Sequence, residues 1–77
     1  NDLDIRGMRG DEAMNAVRYF IDDAILVGVQ QVRILHGKGN GILRQLVRQY
    51  LSSVPNVIRY HDEDIRFGGP GITVAEF

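Results

Sequence analysis

His36 and Lys38 stand within one glycine-rich turn, in the stretch Arg33-Ile34-Leu35-His36-Gly37-Lys38-Gly39-Asn40-Gly41-Ile42-Leu43-Arg44. A histidine titrates near neutral pH and serves as general acid or base. Lys38 and Arg44 supply full positive charge. Gly37, Gly39 and Gly41 let the backbone approach a ligand closely and take left-handed conformations at little steric cost. A helix opening after the turn adds unpaired N–H groups and the positive end of its dipole. Together these groups suit a phosphate. Turn chemistry alone also accounts for glycine and asparagine here, so a strand-to-helix turn with basic decoration is the alternative. The histidine and lysine inside the same turn favour a binding site.

Two further stretches carry candidate chemistry. Asp4 and Arg6 are two apart on an expected strand, so their side chains project to one face while Leu3 and Ile5 point into the core. Asp4 can act as a base or orient His36 by a hydrogen bond, and a simple ion pair with Arg6 is the alternative. His36 can equally be a hydrogen-bonded structural residue. Gly68-Gly69-Pro70-Gly71 is a stiff turn that exposes more backbone N–H groups, with Gly69 a candidate for holding phosphate. His61-Asp62-Glu63-Asp64 invites a Mg²⁺ reading. Consecutive acids cannot all face one point, however, and a solvated loop is preferred, so no metal site is assigned. The Gly-Lys-Ser/Thr sequence of a nucleotide-binding P-loop is absent.

The elements that must position these residues follow from apolar spacing. Leu3-Asp4-Ile5 is a first strand, and Arg6 to Gly10 a loop. Asp11 is the expected N-cap of a helix whose apolar face is Ala13, Met14, Val17, Phe20, Ile21, Ala24 and Ile25. Gly28 stops it, with Val29 placed for a capping contact. Val32 to Leu35 is a second strand. Asn40 is the expected N-cap of a second helix, with Ile42, Leu43, Leu46, Val47, Tyr50 and Leu51 as its stripe and Arg44, Gln45 and Arg48 off it. Pro55 ends that region. Val57 to Tyr60 is a third strand, His61 to Phe67 a polar loop, and Ile72 to Phe77 a last strand. Two helices over one face of a mixed four-stranded sheet is the simplest packing, leaving the other face open or covered by another part of the protein. Parallel pairing of the first two strands brings Asp4-Arg6 and His36-Lys38 together at the carboxyl edge of the sheet.

Composition bounds the rest. A chain of 77 residues, 44% hydrophobic and 25% charged, fits one ordered domain with a thin core. It has no cysteine, so disulfide and thiolate chemistry are excluded. That fits a reducing compartment, and a cytoplasmic location is expected. No apolar run approaches the ~20 residues that span a bilayer. A start at Asn1, without Met and directly on a strand, suggests a piece of a longer protein. The formal charge is -1, yet every charged residue from Arg33 to Arg48 is basic. Such a patch binds nucleic acid weakly and with strong salt dependence; a solvated charged face is the alternative. Phe20, Tyr50 and Phe77 are assigned to the core, so base-stacking platforms are not expected.

Leu3-Asp4-Ile5-Arg6-Gly7, His36 to Arg44, and Gly68-Gly69-Pro70-Gly71-Ile72-Thr73-Val74 together resemble the Smr (small MutS-related) domain family over nearly the whole chain. The resemblance implies an α+β two-layer fold, β-α-β-α-β-β, like the C-terminal domain of bacterial translation initiation factor three. Its sheet order is 1-2-4-3 with the last strand antiparallel. It also implies an endonuclease that nicks DNA or cuts messenger RNA at stalled ribosomes. Where relatives carry histidine, this chain has Arg6, similar to the version at the C-terminus of a bacterial MutS paralogue outside mismatch repair. That paralogue is linked to recombination suppression and ribosome rescue, and a homodimeric parent with an ATPase elsewhere is implied. On this basis Asp4, Arg6 and His36 are the catalytic candidates. Arg6, Gly37, Lys38, Gly39, Gly41, Arg44 and Gly69 are the phosphate-binding candidates. No cofactor is expected in this domain, with Mg or Mn the candidate metals for cleavage, and DNA or RNA, not a membrane, is the partner. Arginine cannot give up a proton. A non-catalytic nucleic-acid or ribosome-binding module is therefore the alternative.

Overall fold

The computed structural model describes residues 1–77. Its regular elements are β1 (Asp2–Asp4), α1 (Gly10–Val27), β2 (Gln31–Leu35), α2 (Ile42–Leu51), β3 (Arg59–Asp62) and β4 (Ile72–Glu76), with single 3-10 turns at Ile65–Phe67 and Gly69–Gly71. The sheet order is β1-β2-β4-β3. β1 pairs parallel with β2, Leu3 opposite Ile34 and Asp4 opposite Leu35. β4 lies antiparallel between β2 and β3, with Thr73 opposite both Ile34 and Asp62. This is the two-layer α+β architecture with a mixed 1-2-4-3 sheet.

The core forms where the two helices meet one sheet face. α1 buries Ala13, Val17, Ile21 and Ala24, a three- and four-residue spacing that keeps one stripe inward. α2 adds Val47 and Leu51, and the sheet side supplies Ile5, Val32, Ile34 and Ala75. Gly28 ends α1 at φ 86, and the N–H groups of Gly28 and Val29 both donate to the Ala24 carbonyl, at 2.9 and 3.2 Å. Gly10 lets the start of α1 approach α2 closely, because a Cβ there would sit 3.2 Å from Leu46 Cδ1.

Four local expectations are corrected. The cap of α1 is Arg9, not Asp11, whose carboxylate instead accepts from the Glu12 N–H. The cap of α2 is Gly41, not Asn40, although Asn40 Oδ1 still accepts from the Ile42 N–H at 3.1 Å. Each shift is one or two residues, within which a polar side chain can still serve the first turn. β3 begins at Arg59 rather than Val57 and takes in His61 and Asp62. Val57 leaves the ladder to pack against the core, and β3, an edge strand exposed on one side, needs no apolar run. Finally, the second sheet face is covered in its middle by the chain itself, while Asp2, Asp4, Gln31, Arg59 and His61 on that face stay exposed. Val74 and Ile72, which point away from the helices, are only 2% and 7% exposed because the segment from Glu63 to Gly71 folds over them.

Candidate phosphate-binding site

β2 delivers His36 and Gly37 to the carboxyl edge of the sheet, where their N–H groups both donate to the Gly71 carbonyl, at 3.1 and 2.9 Å. Gly37 takes φ 82, and a Cβ on it would sit 3.6 Å from Arg6 Cγ, so the Arg6 stem lies against the turn. A Cβ on Gly71 would sit 3.5 Å from Lys38 Cγ. All three motifs therefore meet at one place. Between Gly37 and α2 the backbone spends almost none of its donors. The N–H groups of Lys38, Gly39, Asn40 and Gly41 have no partner in the chain, and neither do those of Leu43 and Arg44 in the first turn of α2. Left-handed geometry is needed at Gly37 and Gly41 but not at Gly39. The result is a cleft of about 430 Å³ lined by His36, Gly37, the residues from Gly39 to Arg44, and Gly7, Met8 and Gly10; Asp4, Arg6 and Lys38 are not among its lining.

Lys38 is exposed at this turn and has no carboxylate partner. Arg18 is the other cation without one, and it bonds Asn15 on α1. Arg6 is held by Asp4: Nε donates to Oδ1 at 2.9 Å, Nη2 to Oδ2 at 2.7 Å, and its backbone N–H to Oδ1 at 3.0 Å. Those bonds, side-chain first, lower the Asp4 carboxyl to a pKa of about 2. Asp4 is thus ionised at neutral pH, a feeble base, and makes no hydrogen bond to His36. Arg6 keeps its Nη1 donors free for a ligand.

His36 is buried and internally bonded. The Gly37 carbonyl, 2.9 Å away, can only accept, so Nδ1 carries the proton and Nε2 accepts from the buried Thr73 hydroxyl at 2.8 Å. Burial, and then the charges of Arg44 and Arg48, push its pKa below the ordinary histidine value against the pull of the Gly37 bond. The ring is neutral at pH 7, and both its nitrogens brace the turn from behind.

A family model described as the Smr domain matches residues 3–77. The chain belongs to the Smr domain family. It is 40% identical over 96% of its length to Endonuclease MutS2 of Helicobacter pylori, of which it covers 10%. It is 47% identical over 97% of its length to Endonuclease MutS2 of Shouchella clausii, again covering 10%. It thus spans about a tenth of the length of the curated relatives it matches. The Smr domain of Thermus thermophilus MutS2 superposes with a TM-score of 0.94 at 36% identity, covering 99% of this chain and 95% of that one. YdaL, a stand-alone small MutS-related protein from Escherichia coli, gives 0.94 at 27% identity, covering 99% and 63%.

In this Smr domain the remaining candidates have other partners. Arg44 and Arg48, one turn apart on α2, both donate through Nη2 to Asp62 Oδ1 of β3, at 2.9 and 2.5 Å. The pairing lowers the Asp62 pKa, the Arg44 bond most. Two cations on one carboxylate leave a surplus positive charge, and Arg44 lines both the first cleft and an adjoining hollow that reaches Arg48 and Tyr60. Gly69 is buried with its N–H donated to the Asp64 carbonyl at 3.0 Å, so it shapes a loop and offers no amide to a ligand. The acids after β3 disperse: Glu63 pairs with Arg33, Asp64 with Arg66, and His61 with Glu76 on the sheet face opposite Asp62. No three metal-binding side chains come together. Sequence reasoning missed Thr73 and Asp62 as partners of the site; 37 residues separate the first from His36, and 14 to 18 separate the second from Arg48 and Arg44.

Proposed function

We propose that this Smr domain grips the phosphodiester backbone of nucleic acid at the glycine turn, as the backbone-contacting part of a MutS2-like endonuclease. The observation that carries the reading is four consecutive unpartnered N–H groups, Lys38 to Gly41, in a turn whose lysine has no carboxylate partner. Fixed amides at a helix start suit phosphate oxygens, and they read no base. The adjoining hollow along Arg44 and Arg48 extends the positive surface beyond a single phosphate, which favours a polymer over a small ligand. Anisotropy titrations of labelled DNA and RNA at several salt concentrations test this. Lys38→Ala weakens binding to all sequences alike and lowers the salt slope by about 1. If the wild-type domain fails to bind any strand at 50 mM salt, roughly the low end of the useful range, the reading is wrong.

Cleavage of that backbone is the second reading, favoured by the endonuclease name of the relatives. In it Arg6 and Lys38 stabilise charge building on the phosphate oxygens, the ionised Asp4 orients the attacking water, and His36 holds the turn in place. Arg6 supplies charge but no proton. Supercoiled plasmid, structured RNA and ribosomes, each offered with Mg²⁺, with Mn²⁺ and without metal, decide it. Intact substrates throughout, with binding retained, leave a domain that holds nucleic acid without cutting it.

A further inference from the structure

On the segment that joins β3 to β4 the domain carries an aromatic ring that its core does not use. Phe67 is 62% exposed, and the Arg66 guanidinium carbon lies 5.4 Å over its ring centroid. The mounting is rigid. The Phe67 N–H donates to the Asp64 carbonyl at 2.8 Å, and the Phe67 carbonyl accepts from Arg33 Nη2 at 3.1 Å. Arg33 is itself anchored by Asp2 and Glu63, each at 2.7 Å. Asp64 fixes the Arg66 guanidinium through both its oxygens, at 3.0 and 2.9 Å. The backbone that carries the ring is thus tied down before any ligand arrives, which lowers the ordering cost of binding.

Its position ties it to the cleft. Four residues along the chain lies Gly71, packed against Gly37 and Lys38. A chain of that length spans at most about 14 Å. A strand whose phosphate sits on the glycine turn can therefore reach the ring within a few nucleotides. Phenylalanine faces and arginine planes both stack on nucleobases, whatever the base.

We infer that Phe67, backed by Arg66, is a nucleobase-stacking site for single-stranded nucleic acid whose backbone is held at the glycine turn. This revises the expectation that the chain has no stacking platform, which accounted for Phe20, Tyr50 and Phe77 and overlooked Phe67. It rests on the phosphate-binding reading and adds a base contact to it.

The chain contains no tryptophan, so Phe67→Trp introduces a single reporter at the site. The test titrates this variant with a single-stranded oligonucleotide and with an abasic strand of the same length, which keeps every phosphate and lacks the bases. The base-bearing strand quenches the tryptophan and the abasic strand does not. In parallel, Phe67→Ala weakens the base-bearing strand about five- to a hundredfold, the span of one stacked base, and leaves the abasic strand unchanged. The side chain is exposed, so the variant keeps the wild-type melting temperature. Equal binding of Phe67→Ala and wild type to the base-bearing strand, without selective quenching, overturns stacking while Lys38-dependent binding still upholds the phosphate site. Absence of wild-type binding to both strands overturns the two together. Self-association of the wild type that Phe67→Ala abolishes, in the absence of nucleic acid, assigns the ring to a contact between copies and also overturns it.

Discussion

Asp62 restrains the basic face of α2, and Asp62→Asn releases it. In the wild type one carboxylate oxygen accepts from both Arg44 and Arg48, so neither guanidinium is free to leave it for a phosphate without cost. An amide oxygen at the same place accepts a hydrogen bond but carries no charge. Removing the carboxylate moves the formal charge of the domain from -1 to 0, and both released cations face the hollow next to the cleft. Each phosphate neutralised steepens the dependence of log K on log salt by about 0.9 for duplex and 0.7 for single strands. Two more contacts therefore steepen it by roughly 1.4 to 1.8. Asp62→Asn binds more tightly than wild type at low salt, and that advantage shrinks about tenfold over a fourfold rise in salt. The stability cost is small, because exposed ion pairs contribute about 0.2–1 kcal/mol each. Anisotropy titrations from 50 to 200 mM salt, the usual window, give the slope, and Asp23→Asn is the control. That substitution removes the same charge from an exposed carboxylate in the second half of α1, which lines neither the cleft nor the hollow. An unchanged slope for Asp62→Asn, or the same gain in the Asp23→Asn control, refutes the reasoning that Arg44 and Arg48 are held back by this carboxylate.

Two further outcomes concern the turn itself. Thr73→Val keeps shape but leaves buried His36 Nε2 without its donor, at a cost of about 1–3 kcal/mol, which thermal melts read as roughly 4–8 °C per kcal/mol; an unmoved melting temperature means the bond contributes nothing. The same ring sets a pH dependence. Its folded pKa lies below the unfolded value, so the unfolded chain takes up a proton first, and the stability due to His36 is full above pH 6.5 and lost as pH falls below it. His61, raised by the Asp62 carbonyl and then Glu76, works in the opposite direction, so His61→Asn isolates the effect; denaturant unfolding that is flat between about pH 7.5 and 5.5 in that variant contradicts a neutral His36. Gly41→Ala forces a side chain to φ 81 with open space around it, so the loss is backbone strain alone, about 1–2 kcal/mol, whereas Gly39→Ala, free of that constraint, melts as wild type does; equal melting temperatures for the two variants count against the turn geometry.

What the sequence made legible was local. The apolar spacing from Ala13 to Ile25 marks α1, Gly28 marks its end, and the strand-turn-helix around His36 to Arg44 is legible from its glycines and the apolar runs on either side. Strand order came from the three-motif resemblance rather than from periodicity. What stayed hidden depends on tertiary placement. β3 is an edge strand built of Arg59, Tyr60, His61 and Asp62, and polar alternation of that kind looks like a loop until its partner is known. The pairing of Asp62 with α2 and of His36 with Thr73 joins residues far apart in sequence, and no spacing rule reaches across it. Phe67 looked like one residue of a polar loop because its exposure comes from the 3-10 turn that lifts it off the sheet.

The Gly71 carbonyl accepts from both His36 and Gly37, and Thr73, two residues on, bonds the His36 ring. This has a consequence for anyone who would transplant the turn. Residues 36–44 moved alone into a foreign scaffold arrive with two amides and an imidazole unsatisfied. The smallest portable unit is discontinuous, the turn together with the start of β4. In recombination between homologues, a crossover that separates these two segments mixes halves of one fitted joint, whereas one in the middle of α1 leaves it whole.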